Sequence, residues 1–218
     1  MATSQEDYMR AIVDDDKLWK PMRGFFTPGT PLYTEEGGDI LQGPRNFDAA
    51  KRLLAESGYH GQPITFLVAQ DIPSLKAFGE ITADNLKRLG ITADYAALDW
   101  GTVAARRLQQ TPPAQGAWHM FVSWSAGADF TNPTNKQVRA NGDQAFSGWP
   151  ESRAVEAEVS AWFEARTPEE EQTIIRRLNK VAFEHVLYVP LGFWLSHQAL
   201  AQERQRHRAG AAAVLLAA

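Results

Sequence analysis

Between residues 46 and 124 the apolar pattern alternates between helical spacing and short unbroken runs, and this alternation restricts the fold more than any other feature of the chain. Asn46 opens a segment in which Phe47, Ala50, Leu53 and Leu54 form one stripe and Gly58 follows the last turn, the signature of an N-capped, glycine-terminated helix over 47–57. Residues 64–69, ITFLVA, read as a strand. Residues 74–89 put Leu75, Phe78, Leu86 and Leu89 on one helical face, with Gly90 just beyond. A strand at 91–98, a helix at 101–109, the turn cluster TPPAQG and an apolar run at 118–124 complete a β-α-β-α-β order. Parallel neighbours need a long crossover, which each helix supplies, so the expected class is α/β with a mostly parallel sheet covered by helices.

The flanks are less regular. Residues 5–13 form a short amphipathic helix with Tyr8, Met9 and Ile12 on one face and no earlier element to pack on. Residues 20–45 are dense in Gly and Pro, a long loop of the kind that is functional or wraps another domain. Beyond the alternating unit, residues 151–165 align Val155, Val159, Trp162 and Phe163. Thr167-Pro168-Glu169-Glu170 is a capping box with Pro at the first helical position, opening a helix that runs to about Glu184. Residues 186–193, interrupted by Pro190, read as an edge or terminal strand. From Leu200 onward, LAQERQRHRAGAAAVLLAA shows neither a core pattern nor turn logic.

Composition excludes several kinds of chemistry. A formal charge of −4, spread evenly over 218 residues, gives no footprint for nucleic acid. The absence of cysteine excludes disulfides, thiolate metal sites and a cysteine nucleophile. His60, His119, His185, His197 and His207 contain no pair at metal-ligand spacing, and no cofactor motif or nucleophile elbow is present, so no metal, cofactor or catalytic residue is expected. The first residues lack the basic and apolar regions of a secretory leader, and no run reaches membrane-spanning length, so the chain as written is expected to stay in the cytoplasm.

The stretch 118–133, WHMFVSWSAGADFTNP, carries the candidate site. Its apolar run delivers Trp124 and, a few residues on, Asp129 to the end of a strand. Ligands of open α/β sheets bind outside the carboxyl ends of strands, and an aromatic face beside a fixed negative charge suits a cationic ligand. The competing reading makes Trp124 core and Asp129 a turn-forming side chain. Arg106 and Arg107, on the helix after Trp100, have the geometry to hold a carboxylate, or form an ordinary surface pair.

DAAKRLLAESGYHGQPITFLVAQD, the Asp-Trp at 99–100, SWSAGADFTNP and HVLYVPLGF occur here in an order that resembles the C-terminal part of bacterial family 5 solute-binding proteins, the dipeptide, oligopeptide and nickel-binding components of ABC importers. The likeness covers about residues 5–199. It implies a non-enzymatic, periplasmic-binding-protein-like (class II) lobe, incomplete relative to the two-lobed clamp, whose ligand is a peptide or related small solute and whose partner is an importer permease. It further implies that Trp124 and Asp129 meet the ligand, with the acid pairing to an α-ammonium, and that Trp100 and Arg107 are secondary contacts. The segment SAGA separates Trp from Asp by more residues than the W-x-x-D run of peptide-binding members, a departure that bears on the ligand. Residues 200–218 stand apart as an atypical tail. Codons can be chosen for 200–217 so that a one-base shift reads WRKNVSGIVRAPLPFFW, which resembles the family's ending, and a frameshift just before Leu200 is therefore expected. The alternative is a structural or non-functional fragment of a disrupted gene.

Overall fold

The structure is a computed structural model that describes residues 1–196 and the backbone of 210–217. Its centre is a six-stranded sheet in the order β1-β5-β6-β4-β2-β3. The strands are β1 (Trp19–Lys20), β2 (Ile64–Ala69), β3 (Ala93–Leu98), β4 (Met120–Ala126), β5 (Val189–Ser196) and β6 (Gly210–Ala217). Among the described residues six α-helices accompany them: α1 (Gln5–Arg10), α2 (Phe47–Glu56), α3 (Pro73–Leu89), α4 (Trp100–Arg106), α5 (Arg153–Glu164) and α6 (Pro168–Glu184).

The expected parallel crossovers build one half of the sheet, where β2 pairs in parallel with both β3 and β4. The other half is antiparallel, β6 lying between β4 and β5 and β1 against β5. The last predicted strand is shifted by this arrangement: β5 begins at Val189 and runs to Ser196, with β6 along one side and β1 on the other only at Phe193 and Trp194, so the stretch that carries Pro190 has a strand on one side alone. Pro190 is accommodated at an irregularity in the β5–β6 register beside Gly192, whose φ of 136° no side chain adopts freely. Residues 210–217 have a place in the sheet, because GAAAVLLA is a continuous apolar run opened by Gly and such a run fits a strand with neighbours on both sides. The junction expected before Leu200 lies outside the described residues, as do His197 and His207.

Helix α3 lies on β2 closely enough that a Cβ on Gly79 would sit 2.2 Å from Val68 Cγ1. Phe78 and Leu75 on α3 join Tyr8 and Met9 of α1 and Phe66, Leu67 and Phe121 of the sheet in one buried cluster. A second cluster lies under α5 and α6, where Val155, Val159, Ile175 and Leu178 meet Met22, Phe25 and Phe26. Those last three belong to the long loop, so residues 20–45 wrap this same lobe. Burying such side chains stabilises by about 1.5–3 kcal/mol each, which offsets the entropy of ordering an irregular loop.

Polar clips fix the loop's path. Asn179 on α6, fully buried, accepts from Phe25 N–H through Oδ1 (2.8 Å) and donates from Nδ2 to Glu36 C=O (2.6 Å). Gln5 on α1 donates to the carbonyls of Met22 and Pro190, both at 2.7 Å, and accepts from Met22 N–H at 2.9 Å. Glu156 on α5 receives the Arg139 guanidinium and Ala140 N–H (2.8 Å), which ties residues 139–140 to α5.

Candidate ligand-binding rim

The carboxyl ends of β2, β3 and β4 share one edge of the sheet, and the residues that follow them form a rim. After β2, Asp71 accepts from Trp100 N–H at 2.8 Å, joining the β2 exit to the first turn of α4. After β3, Asp99 caps α4 and accepts from Thr102 N–H (2.9 Å) and Thr102 Oγ1 (2.6 Å). These two bonds hold the Asp99 carboxyl below its ordinary pKa. After β4, a 3-10 turn at Gly127–Phe130 carries Asp129.

Strand β4 is displaced from the expected 118–124. Pairing starts at Met120 opposite Phe66, while Trp118 is buried before the strand and His119 exchanges bonds with Thr65, its N–H donating to the Thr65 carbonyl and its Nδ1 accepting from Thr65 N–H. Trp124 therefore lies inside the strand, and Ala126 is its last residue. Phe121 and Ser123 are buried, but Trp124 is 39% exposed. Its ring meets Trp194 of β5 nearly at a right angle, with centroids 6.2 Å apart, and Trp194 in turn meets Phe78 at 6.2 Å.

The turn bearing Asp129 is anchored from beneath. Phe130 is buried in the second cluster, Thr27 N–H donates to Phe130 C=O (2.9 Å) and Thr27 Oγ1 donates to Gly127 C=O (2.5 Å). Local turn bonding falls to Asn132, which accepts from Thr134 N–H at 2.9 Å. Among the described residues no hydrogen bond or ion pair engages the half-buried Asp129 carboxylate.

Trp100 and Arg107 come together elsewhere on the rim. The Arg107 guanidinium lies 5.2 Å from the Trp100 ring centroid, 5.9 Å from that of Phe121 and 5.3 Å from that of Phe146. Burial lowers its pKa from the ordinary value, and its Nε is buried without a hydrogen-bond partner among the described residues. Stacking on three rings stabilises a guanidinium at about 0.5–2 kcal/mol per contact and leaves its fork free for an anion. The two neighbouring arginines thus separate, Arg106 donating to the carbonyls of Gly116 (3.0 Å) and Ala117 (3.2 Å).

Of the four residues singled out from the sequence, Trp100 and Arg107 meet, while Trp124 lies in β4 and Asp129 on the turn after it. Phe121 and Trp124 differ in parity along β4 and so face opposite sides of the sheet, which puts Trp124 on one face and the Phe121-backed Arg107 with Trp100 on the other. Among the described residues no hydrogen bond, ion pair or aromatic contact joins Trp124 to Asp129, or either of them to Trp100 or Arg107. Sequence reasoning missed Trp194. Its only signal was an aromatic one residue past the last predicted strand, and its neighbour Trp124 is set by pairing that no local pattern reveals. No group of three His, Asp or Glu among the described residues is placed to hold a metal ion, and no described helix is long and apolar enough to cross a membrane.

These layers define a lobe of periplasmic-binding-protein type, incomplete relative to a two-lobed clamp. The family model for "Bacterial extracellular solute-binding proteins, family 5 Middle" matches residues 1–147, and the chain belongs to that family of transport proteins. A probable peptide ABC transporter periplasmic-binding protein from Sinorhizobium fredii is 28% identical over 189 residues, which is 86% of this chain and 36% of that protein. The substrate-binding protein CtaP from Listeria monocytogenes superposes with a TM-score of 0.70 at 16% identity, covering 98% of this chain and 40% of that one. A dipeptide-binding protein from Pseudoalteromonas sp. SM9913 in complex with Met-Leu gives 0.64 at 12% identity, covering 99% and 38%. NikA from Staphylococcus aureus in complex with Ni(L-His)2 gives 0.66 at 16% identity, covering 99% and 41%. The chain thus spans roughly two-fifths of the length of these relatives.

Proposed function

We propose that this chain is the C-terminal ligand-binding lobe of a solute-binding component of an ABC importer, taking a small zwitterionic or cationic solute of the peptide class without catalysis. The observation that supports it is the exposed Trp124 standing against Trp194, with the unengaged Asp129 carboxylate following on a turn anchored by Phe130 and Thr27. Trp124 and Trp194 offer an apolar corner, and Asp129 supplies the charge that pairs with an ammonium group. Arg107, backed by Trp100, is assigned to the ligand's anionic end. A clamp of this kind gains affinity by burying its ligand from both sides, so the whole protein works in the periplasm and delivers to a permease.

The test is titration calorimetry with Met-Leu and a panel of dipeptides and amines. It uses this chain and a version preceded by the first lobe of the Sinorhizobium relative. Binding by the joined protein is expected, and Asp129→Asn weakens it by about 2 kcal/mol or more, because a partly buried charge loses its partner. Unchanged affinity in that variant removes Asp129 from the site, and no heat from either protein refutes the binding reading.

A further inference from the structure

Residues 141–151 form a closed loop ahead of α5. Asn141 bridges Glu151 in antiparallel pairing, and Gly142 N–H donates to Pro150 C=O at 3.0 Å, which seals the loop at its base. Within it Phe146 N–H donates to Lys136 C=O (3.2 Å) and Trp149 N–H to Phe146 C=O (2.8 Å). Both rings turn inward. Phe146 meets Phe121 at 6.2 Å and packs against both buried clusters, while Trp149 meets Trp118 at 5.8 Å with the planes 36° apart.

Trp149 holds a backbone conformation that its side chain disfavours. Its φ is 47°, in the left-handed region, and it follows Gly148 at 111°. A bulky residue is strained there, and such strain persists only where the surrounding packing over-determines it. The contact that compensates is the buried Trp118 ring just ahead of β4.

Through Phe146 the loop reaches Arg107. Among the described residues no hydrogen bond or ion pair engages the Arg107 guanidinium, and its Nε is buried without a partner. Its direction is therefore set by the three rings around it, Trp100, Phe121 and Phe146. Trp100 stands on α4 and Phe121 in β4, whereas Phe146 comes from irregular backbone whose course depends on the closed base and on Trp149. We propose that residues 141–151 are a clasp in which Phe146 aims the Arg107 guanidinium and the strained Trp149, seated on Trp118, holds Phe146 in place, so that both are positioning residues for an anionic ligand group. The inference rests on the assignment of Arg107 to the ligand's anionic end.

Proton exchange at the arginine Hε atoms, followed by nuclear magnetic resonance on the isotope-labelled chain, tests the clasp without a ligand. Arg107→Lys identifies the signal by removing it. Phe146→Ala and Trp149→Ala are each expected to speed Arg107 Hε exchange by about tenfold or more, as local opening of a protected site does. Phe146→Leu fills the space without a flat face and guards against loss of the fold; it is expected to speed exchange as well, whereas Phe146→Tyr keeps the native rate. Arg106, whose Nε donates to Gly116 C=O at 3.0 Å, is the control and keeps its rate throughout. Unchanged exchange at Arg107 in the Ala and Leu variants overturns the proposal, and so does equal acceleration at Arg106, which marks general loosening. Sodium acetate, a carboxylate probe, is then titrated into the same samples. It is expected to move the Arg107 signal saturably in the native chain and to bind about tenfold more weakly in Phe146→Ala, the loss that follows when a contact is no longer preorganised. Equal affinity in that variant overturns the proposal. No response of the native chain removes Arg107 from the ligand's anionic end and takes the positioning role with it, whereas unaltered exchange in the variants defeats the clasp and leaves that assignment standing.

Discussion

Replacing Asn179 with Ala removes two of the side-chain bonds that hold the long loop to α6, leaving the one from Gln172 Nε2 to Pro31 C=O. Phe25 N–H then remains in a buried site with no acceptor, and Glu36 C=O loses its donor in a partly buried one. An orphaned buried group costs about 1–3 kcal/mol, and the partly buried carbonyl recovers some of its loss from water. Added to a small void, the total is about 2–4 kcal/mol, a large share of the roughly 5–15 kcal/mol that stabilises a typical domain. Urea unfolding followed by tryptophan fluorescence is expected to show a midpoint lower by roughly 1–1.5 M with the same slope. Hydrogen exchange is expected to accelerate first at Phe25 and its loop neighbours. Asn179→Asp keeps the acceptor but buries a charge, and is expected to cost at least as much. A loss below about 1 kcal/mol with loop protection unchanged would refute the assignment of Asn179 as the loop's anchor.

Three further outcomes are expected. Gly79→Ala drives a methyl to 2.2 Å from Val68 and separates α3 from β2, costing about 1–3 kcal/mol or more in denaturant unfolding; a neutral result contradicts the close helix-strand contact. Val186→Gly relieves left-handed strain at an exposed side chain and raises stability by about 1 kcal/mol, read as a melting temperature a few degrees higher, while a fall shows that the valine packs within the lobe. Glu156 is pushed up by burial, but the Arg139 fork and Ala140 N–H outweigh this and hold it below its ordinary 4.5. Its stabilisation is therefore complete above the unfolded value and is lost as pH falls through the lower folded one. Glu156→Gln is expected to flatten the stability profile below about pH 4.5, and an unaltered acid limb in that variant would exclude the pair as its source.

Much of the fold could be read locally. The helix ends were legible because their signals are chemical: Asn46 accepts from Ala49 N–H, Thr167 from Glu170 N–H, and Gly90 sits in the left-handed region after α3. Within the capping box the returning Glu170 carboxylate takes Arg166 N–H, one residue before the cap. What stayed hidden depends on pairing between distant strands. The bounds of β4 follow from Phe66 opposite Met120, and the position of 210–217 follows from a gap between β4 and β5 that no local pattern announces. The rim divides in the same way. Trp100 and Arg107 lie one helix apart and meet as their spacing suggests, whereas the partner of Trp124 comes from seventy residues further along the chain.

The Gln5 clip has a consequence for synthesis. One side chain bridges Met22 and Pro190, spanning 185 residues of sequence, and β1 finds its partner only in Phe193 and Trp194. Contacts so far apart in sequence close late, so α1 and β1 complete their packing only after β5 has been made, while Tyr8 already has Phe78 and Thr82 of α3 to pack on.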